Sequence, residues 1–275
     1  MPVPDQLNPP FAAEYPAQLD KIEQARQRLI VALDVPSAAA SDELVNRLHG
    51  TCQWFKVGLE LFTAAGPAVL EPLVAHGNSI FLDLKFHDIP NTVAGAVRSA
   101  AATLGVRMIT VHAAGGPAML AAAREALQGI ADPPELLAVT VLTSMDAAAL
   151  KATGVDRSSA DQVNLVAKMA LDAGIRGFVC SPQEAAALRA LIGPQGVIVV
   201  PGIRPAGSDT TGDTDTTASA NSNAGAKIDD QKRIATPAQA LGAGASFLVV
   251  GRPITQAPDP AQAAEAILQE MAEAL

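Results

Sequence analysis

Eight short runs of strand-forming residues recur along the chain, each separated from the next by a stretch with helical spacing. They read "RLIVALDV" from Arg28, "CQWFKVGL" from Cys52, "SIFLDLKF" from Ser79, "VRMITVHA" from Val106, "LLAVTVLT" from Leu136, "GFVCS" from Gly177, "GVIVVPGI" from Gly196 and "SFLVVGRP" from Ser246. Between them lie "SAAASDELVNRLH", "PNTVAGAVRSAAATLG", "GPAMLAAAREALQG", "SADQVNLVAKMALDAG" and "TPAQALGAGA", which read as helices. Strands joined by helices return to the same edge of the sheet and therefore pair in parallel. Eight such units predict closure into a (β/α)8 TIM barrel of the α/β class, a single domain over residues 28–275. An open doubly wound sheet is the alternative. At 275 residues and 49% hydrophobic content, the chain can bury one large core.

Helix punctuation agrees with this reading. Ser37 and Ser41 stand near the first helix, Pro90 and Asn91 open the third, and Gly174 follows "KMALDA". Residues 1–27 mix prolines with an amphipathic segment, "AQLDKIEQARQR", and are expected, as an N-terminal extension, to cover the bottom of the barrel or to remain partly mobile. Residues 208–230, "SDTTGDTDTTASANSNAGAKIDD", contain almost no core-forming side chains and predict a long flexible loop after the seventh strand.

Charge and composition narrow the function classes. A formal net charge of −9 and a pI near 4.9 argue against nucleic acid and anionic membranes as partners. An anionic ligand would have to be met by cations placed locally. There is no apolar run long enough for a membrane span and no basic-then-apolar leader, so the expected location is cytoplasmic. Cys52 and Cys180 lack the spacing of a zinc site or a disulfide framework and read as small buried apolar residues. His87 and His112 fall at neighbouring strand ends and could approach each other, with metal binding as one conceivable use. No metal is expected.

In a barrel of this kind the C-terminal ends of the strands build the site. Polar residues stand at most of those ends: Asp34 at the end of the first strand, Lys56 on the second, Asp83 and Lys85 on the third, Thr143 at the end of the fifth, Gly202 and Arg204 after the seventh, Gly251 and Arg252 at the end of the eighth. Strand periodicity places Phe81, Asp83 and Lys85 on one face and Leu82, Leu84 and Phe86 on the other. Since the outer face must meet helices, Asp83 and Lys85 are expected inside the barrel. Asp88 follows in the loop. A buried ion pair that merely closes the barrel top is the plain alternative, but such pairs rarely gain stability over apolar packing. Gly251 would let a ligand approach the backbone, and Arg252 offers a fork of donors suited to phosphate.

These residues carry a resemblance. "FLDLKFHDIPNTV", with "VALDV", "FKVGLELF", "VTVLTSMD", "VVPGIRP", "DDQKRIATPAQAL" and "VVGRPIT", resembles the bacterial orotidine 5'-phosphate decarboxylase family in order from about Leu29 to Pro260. The resemblance implies a homodimer with active sites at the interface, and cofactor-free conversion of orotidine 5'-phosphate to UMP and carbon dioxide, the last step of de novo pyrimidine nucleotide synthesis. It implies that Lys85 is the catalytic lysine delivering a proton to C6, that Asp83 is the carboxylate beside it, and that Asp88 is supplied to the partner's site. Asp34 and Lys56 match ribose-hydroxyl contacts, and Thr92 a ribose contact across the dimer. Thr143, or its neighbour Ser144, matches a pyrimidine contact, and Arg204, Gln231, Gly251 and Arg252 match the phosphate region.

The chemistry fits a site without a cofactor. Loss of carbon dioxide from C6 leaves a carbanion with no adjacent electron sink, so preorganised positive charge must stabilise it. Flanking carboxylates favour the charged form of Lys85 and fix its position. The long segment after the seventh strand departs from the family pattern. Asp209, Asp213 and Asp215 would repel a phosphate dianion, so its tip is expected in solvent, with closure left to its base and Gln231. A magnesium-dependent sugar-phosphate lyase using Asp83 and Glu60, a Schiff-base aldolase using Lys85, and a non-catalytic nucleotide-binding barrel are the competing readings.

Overall fold

All eight expected strands form. They are β1 (Leu29–Ala32), β2 (Trp54–Gly58), β3 (Ser79–Phe86), β4 (Met108–His112), β5 (Glu135–Val139), β6 (Gly177–Val179), β7 (Val197–Val200) and β8 (Phe247–Val250). The structure is a computed structural model describing residues 21–206 and 233–275. Neighbouring strands pair in parallel in chain order, and β1 pairs with β8, Leu29 opposite Leu248, so the sheet closes on itself. Closure rules out the open doubly wound alternative.

Two packed layers explain why these short strands are stable. Side chains alternate across each strand, and the inward set forms a plug of Ile30, Trp54, Phe81, Met108, Leu137, Val197, Val199, Phe247 and Val249. Trp54 meets Phe247 edge-on, ring centroids 5.2 Å apart. The outward set, including Val31, Phe55, Leu82, Ile109, Ala138 and Phe178, packs under the helices in the larger core. Leu84 and Phe86 pack against that outer core, as their alternation predicts.

The helices start and stop as their end residues require. Ser37 caps Ala38–Arg47 by accepting from the Ala40 amide, whereas Ser41 lies inside that helix with its hydroxyl buried. Pro90 occupies the first turn of Pro90–Thr103, where its missing amide costs nothing. Gly174, at φ 81°, ends Ser159–Asp172. The amides of Gly174 and Ile175 reach back to the carbonyls of Leu171 and Ala170.

The last residues of the N-terminal segment form the helix Lys21–Arg26, which packs against Pro260–Ala274 and buries Ala25. Arg26 donates to the Thr51 carbonyl at 3.2 Å, just ahead of β2, so this helix sits at the N-terminal end of the barrel. Residues 1–20 lie outside the described part of the chain.

One half-buried acid opposes the fold. Glu135 opens β5, and burial pushes its carboxyl from 4.5 up to about 7, against a smaller opposing pull from Arg124. A carboxyl whose folded pKa is raised binds its proton more tightly in the folded state. Its penalty is therefore absent below about pH 4.5 and complete above about pH 7. Glu135→Gln is expected to stabilise the protein at pH 8 by up to about 3 kcal/mol and to change little at pH 4. Urea unfolding at the two pH values checks the sign. Equal effects at both would contradict it.

Candidate active site

The inward residues turn from apolar to polar one step above the plug. Two positions beyond Trp54, Phe81 and Met108 come Lys56, Asp83 and Thr110, on three neighbouring strands. Above them a cavity of about 850 Å³ opens at the C-terminal ends of the strands. Of the expected site residues, Asp34, Lys56, Asp83, Lys85, Thr143, Arg204, Gly251 and Arg252 all line it.

Within the cavity the charges form a chain. Lys56 Nζ lies 2.9 Å from Asp34 Oδ1 and 3.8 Å from Asp83 Oδ2, and Lys85 Nζ lies 2.8 Å from the same Asp83 oxygen. Asp83 and Lys56 are almost enclosed, each with about 11% of its side chain exposed, whereas Asp34 at 56% stands at the rim. A carboxylate so far removed from water needs donors on both oxygens. Oδ2 faces the two ammonium groups, and Oδ1 accepts from the Thr110 hydroxyl at 3.0 Å.

Gly58 makes room for this arrangement. A Cβ there would stand 2.9 Å from Lys56 Nζ and 3.3 Å from Asp34 Oδ1. Asp34, Lys56, Asp83 and Lys85 together carry no net charge. A dianionic group entering the cavity therefore has to be met by the other cations of its lining, Arg204 and Arg252.

The profile of the orotidine 5'-phosphate decarboxylase / HUMPS family matches residues 27–228 and 220–267. The chain belongs to this family. It is 51% identical over 253 residues to the orotidine 5'-phosphate decarboxylase of Moorella thermoacetica, covering 90% of this chain and 93% of the relative. The Saccharophagus degradans enzyme of the same name is 49% identical over 247 residues, covering 90% of this chain and 96% of the relative. Among solved structures, the orotidine 5'-phosphate decarboxylase of Lactobacillus acidophilus superposes with a TM-score of 0.72 at 38% identity, over 89% of this chain and 98% of that one.

Two residues expected from the family pattern stand apart from the cavity. Asp88 and Thr92 are exposed and do not line it. Asp88 Oδ1 accepts from the Ile89 amide at 2.6 Å, and Thr92 lies in the first turn of Pro90–Thr103. Within one chain the array is therefore Asp34, Lys56, Asp83 and Lys85, without Asp88. Gln231 and the whole of the long segment 208–230 lie outside the described residues.

Thr143 also departs from its expected position. The fifth strand ends at Val139, so Thr143 belongs to the loop beyond it. In that loop the carbonyls of Leu142 and Val141 accept from Arg233 Nη2 at 2.9 and 3.4 Å. His87 and His112 do approach, with stacked rings 5.3 Å apart. Burial, then the charges of His87 and Lys85, hold the His112 imidazole below its usual range. Among the described residues no group of three or more His, Cys, Asp or Glu is placed to hold a metal ion.

Sequence reasoning missed Thr110, Gly58 and the buried cluster around Arg233. Thr110 could have been found from β4, where it follows Met108 by two on the inward face. Arg233 stands inside the quoted "DDQKRIATPAQAL", but nothing in that string says that its guanidinium is buried. It pairs with Glu184, whose other oxygen accepts from Ser181, and the two charged side chains are only 10% and 7% exposed. The cluster thus joins the loop after β5, the start of Pro182–Ile192 and the chain re-entering after the long segment.

Removing one partner of such a pair leaves an uncompensated buried charge. Arg233→Met is expected to cost about 3–5 kcal/mol in chemical denaturation, and adding Glu184→Gln to recover a large part of that loss. A single variant as stable as wild type would show the pair to be dispensable.

Proposed function

We propose that the protein decarboxylates orotidine 5'-phosphate to UMP and carbon dioxide without a cofactor, at the last step of de novo pyrimidine nucleotide synthesis. The observation that carries this reading is the enclosed Lys56, Asp83, Lys85 chain at the mouth of a barrel belonging to this family. Its relatives at about half identity bear the name of that enzyme.

The residue roles follow from the chemistry. The C6–carboxylate bond breaks with its electron pair left on C6, and carbon dioxide departs. The Lys85 ammonium is the more exposed of the two in the array and serves as the proton source. It stabilises the developing carbanion, then transfers its proton to C6, and the neutral amine recovers a proton from solvent. Asp83, 2.8 Å from Lys85 Nζ, pairs with that group and aims it. Asp34 and Lys56 engage the ribose hydroxyls, and Thr143 the pyrimidine. Gly251 and Arg252, with Arg204 and Gln231, bind the phosphate, whose binding energy orients the reacting ring far from the phosphate itself.

The array favours this reading over its rivals. A magnesium ion at Asp83 would have to displace two ammonium groups and a hydroxyl from its oxygens. A Schiff base needs a free amine able to attack a carbonyl, whereas Lys85 Nζ is ion-paired with Asp83.

The working unit is a cytoplasmic homodimer in which Asp88 and Thr92 act in the partner's site. Support comes from their exposure beside a chain whose own cavity they do not reach, and from Ile89 and Leu59, large apolar residues 67% and 57% exposed. No helix among the described residues is long and apolar enough to cross a membrane.

The experiment follows the ultraviolet change as orotidine 5'-phosphate is consumed. Wild-type protein should turn over in the presence of a chelator, whereas Lys85→Ala and Asp88→Ala alone should each be inactive. Mixed as refolded subunits, the two variants should recover about a quarter of wild-type activity, because half the dimers are mixed and each of those keeps one intact site. An inactive wild-type protein, or an active Lys85→Ala variant, would refute the assignment. Failure of the mixture alone would refute only the shared site.

A further inference from the structure

Lys85 is held at its backbone as well as at its ammonium. Its φ is +50°, a left-handed conformation that only one other non-glycine residue, Asp132, adopts among the described residues. The cause lies in the pairing of β3 with β4. Leu82 stands opposite Ile109, but the next paired residues are Phe86 and Val111, so β3 advances four residues while β4 advances two. The extra residues bulge out of the ladder. The amide of Lys85 donates instead to the Thr110 hydroxyl oxygen, at 2.8 Å.

That contact fixes the direction of a second one. The amide can only donate, so the hydroxyl accepts there and its own proton is free to go to Asp83 Oδ1, 3.0 Å away. Asp83 Oδ2 in turn accepts from Lys85 Nζ at 2.8 Å. The result is a closed circuit in which one fully buried side chain grips the backbone of Lys85 and, through Asp83, the end of its side chain. Thr110 itself does not line the cavity.

We propose that Thr110 is a positioning residue for the decarboxylation, an inference that rests on the function proposed above. Its hydroxyl replaces the ladder partner that Lys85 loses at the bulge and turns the Asp83 carboxylate so that Oδ2 faces the ammonium. Valine has almost the same shape but offers neither the acceptor nor the donor. It would leave a buried amide and a buried carboxylate oxygen each short of a partner and free Lys85 to leave its left-handed conformation. Serine keeps both functions and loses only a methyl group.

The test compares Thr110→Val, Thr110→Ser and Thr110→Ala for kcat and KM on orotidine 5'-phosphate and for Kd of UMP, a ligand that needs no proton transfer. Thr110→Val should lower kcat between about tenfold and a hundredfold, with KM and the UMP Kd within about threefold of wild type. Thr110→Ser should retain most of the wild-type kcat. If Thr110→Val does not fold, the Ser and Ala variants decide, since they differ only in the hydroxyl, and Ser should be at least about tenfold faster than Ala. A Thr110→Val kcat close to wild type, a Ser variant as slow as Val or Ala, or a parallel loss of UMP affinity would each overturn the proposal. An inactive wild-type protein would instead sink the functional reading and this inference with it.

Discussion

The Asp83 carboxylate holds the site together. It is nearly closed off from water, and a charge in that position is tolerable only when both oxygens are matched. The matches come from three strands: Lys56 on β2, Lys85 on β3 itself and Thr110 on β4. Two ammonium groups side by side would repel each other without the carboxylate, and the carboxylate would be unpaired without them. Each charge therefore makes the others possible. The result is a rigid electrostatic surface that need not reorganise when charge develops in front of it.

The barrel supplies this surface at little structural cost. Its lower interior is a dry plug around Trp54, Phe81, Met108 and Phe247, and the polar positions are simply the next inward ones on the same strands. Stability and chemistry are thus stacked along the barrel axis. The one irregularity needed is the β3–β4 bulge, which turns Lys85 out of the ladder toward the cavity. Arg233, paired with Glu184, secures the loop that carries Thr143 by donating to its carbonyls.

Much of this is legible in the sequence because it follows from periodicity. The eight runs and their helices specify the barrel, and two-residue alternation on "FLDLKF" places Asp83 and Lys85 inside it. What escapes is whatever depends on contacts between distant segments. The φ of Lys85 arises from register with β4, and no local signal in "DLKFHD" announces it. Thr143 reads as a strand end because "LLAVTVLT" is apolar and β-branched, but the strand ends at Val139, and the carbonyls of Val141 and Leu142 accept from Arg233, some ninety residues later. Asp88, which the resemblance assigns to the partner's site, is exposed and does not line the cavity that Lys56, Asp83 and Lys85 share.

The claim on which the account turns is that the negative charge of Asp83, rather than its shape, organises the two lysines. Asp83→Asn keeps the side chain's size and its contact to Thr110 while removing the charge. Its kcat on orotidine 5'-phosphate, measured on protein shown by circular dichroism to be folded, is the most direct test. The account predicts a fall of at least about a hundredfold. Activity within a few-fold of wild type would contradict it.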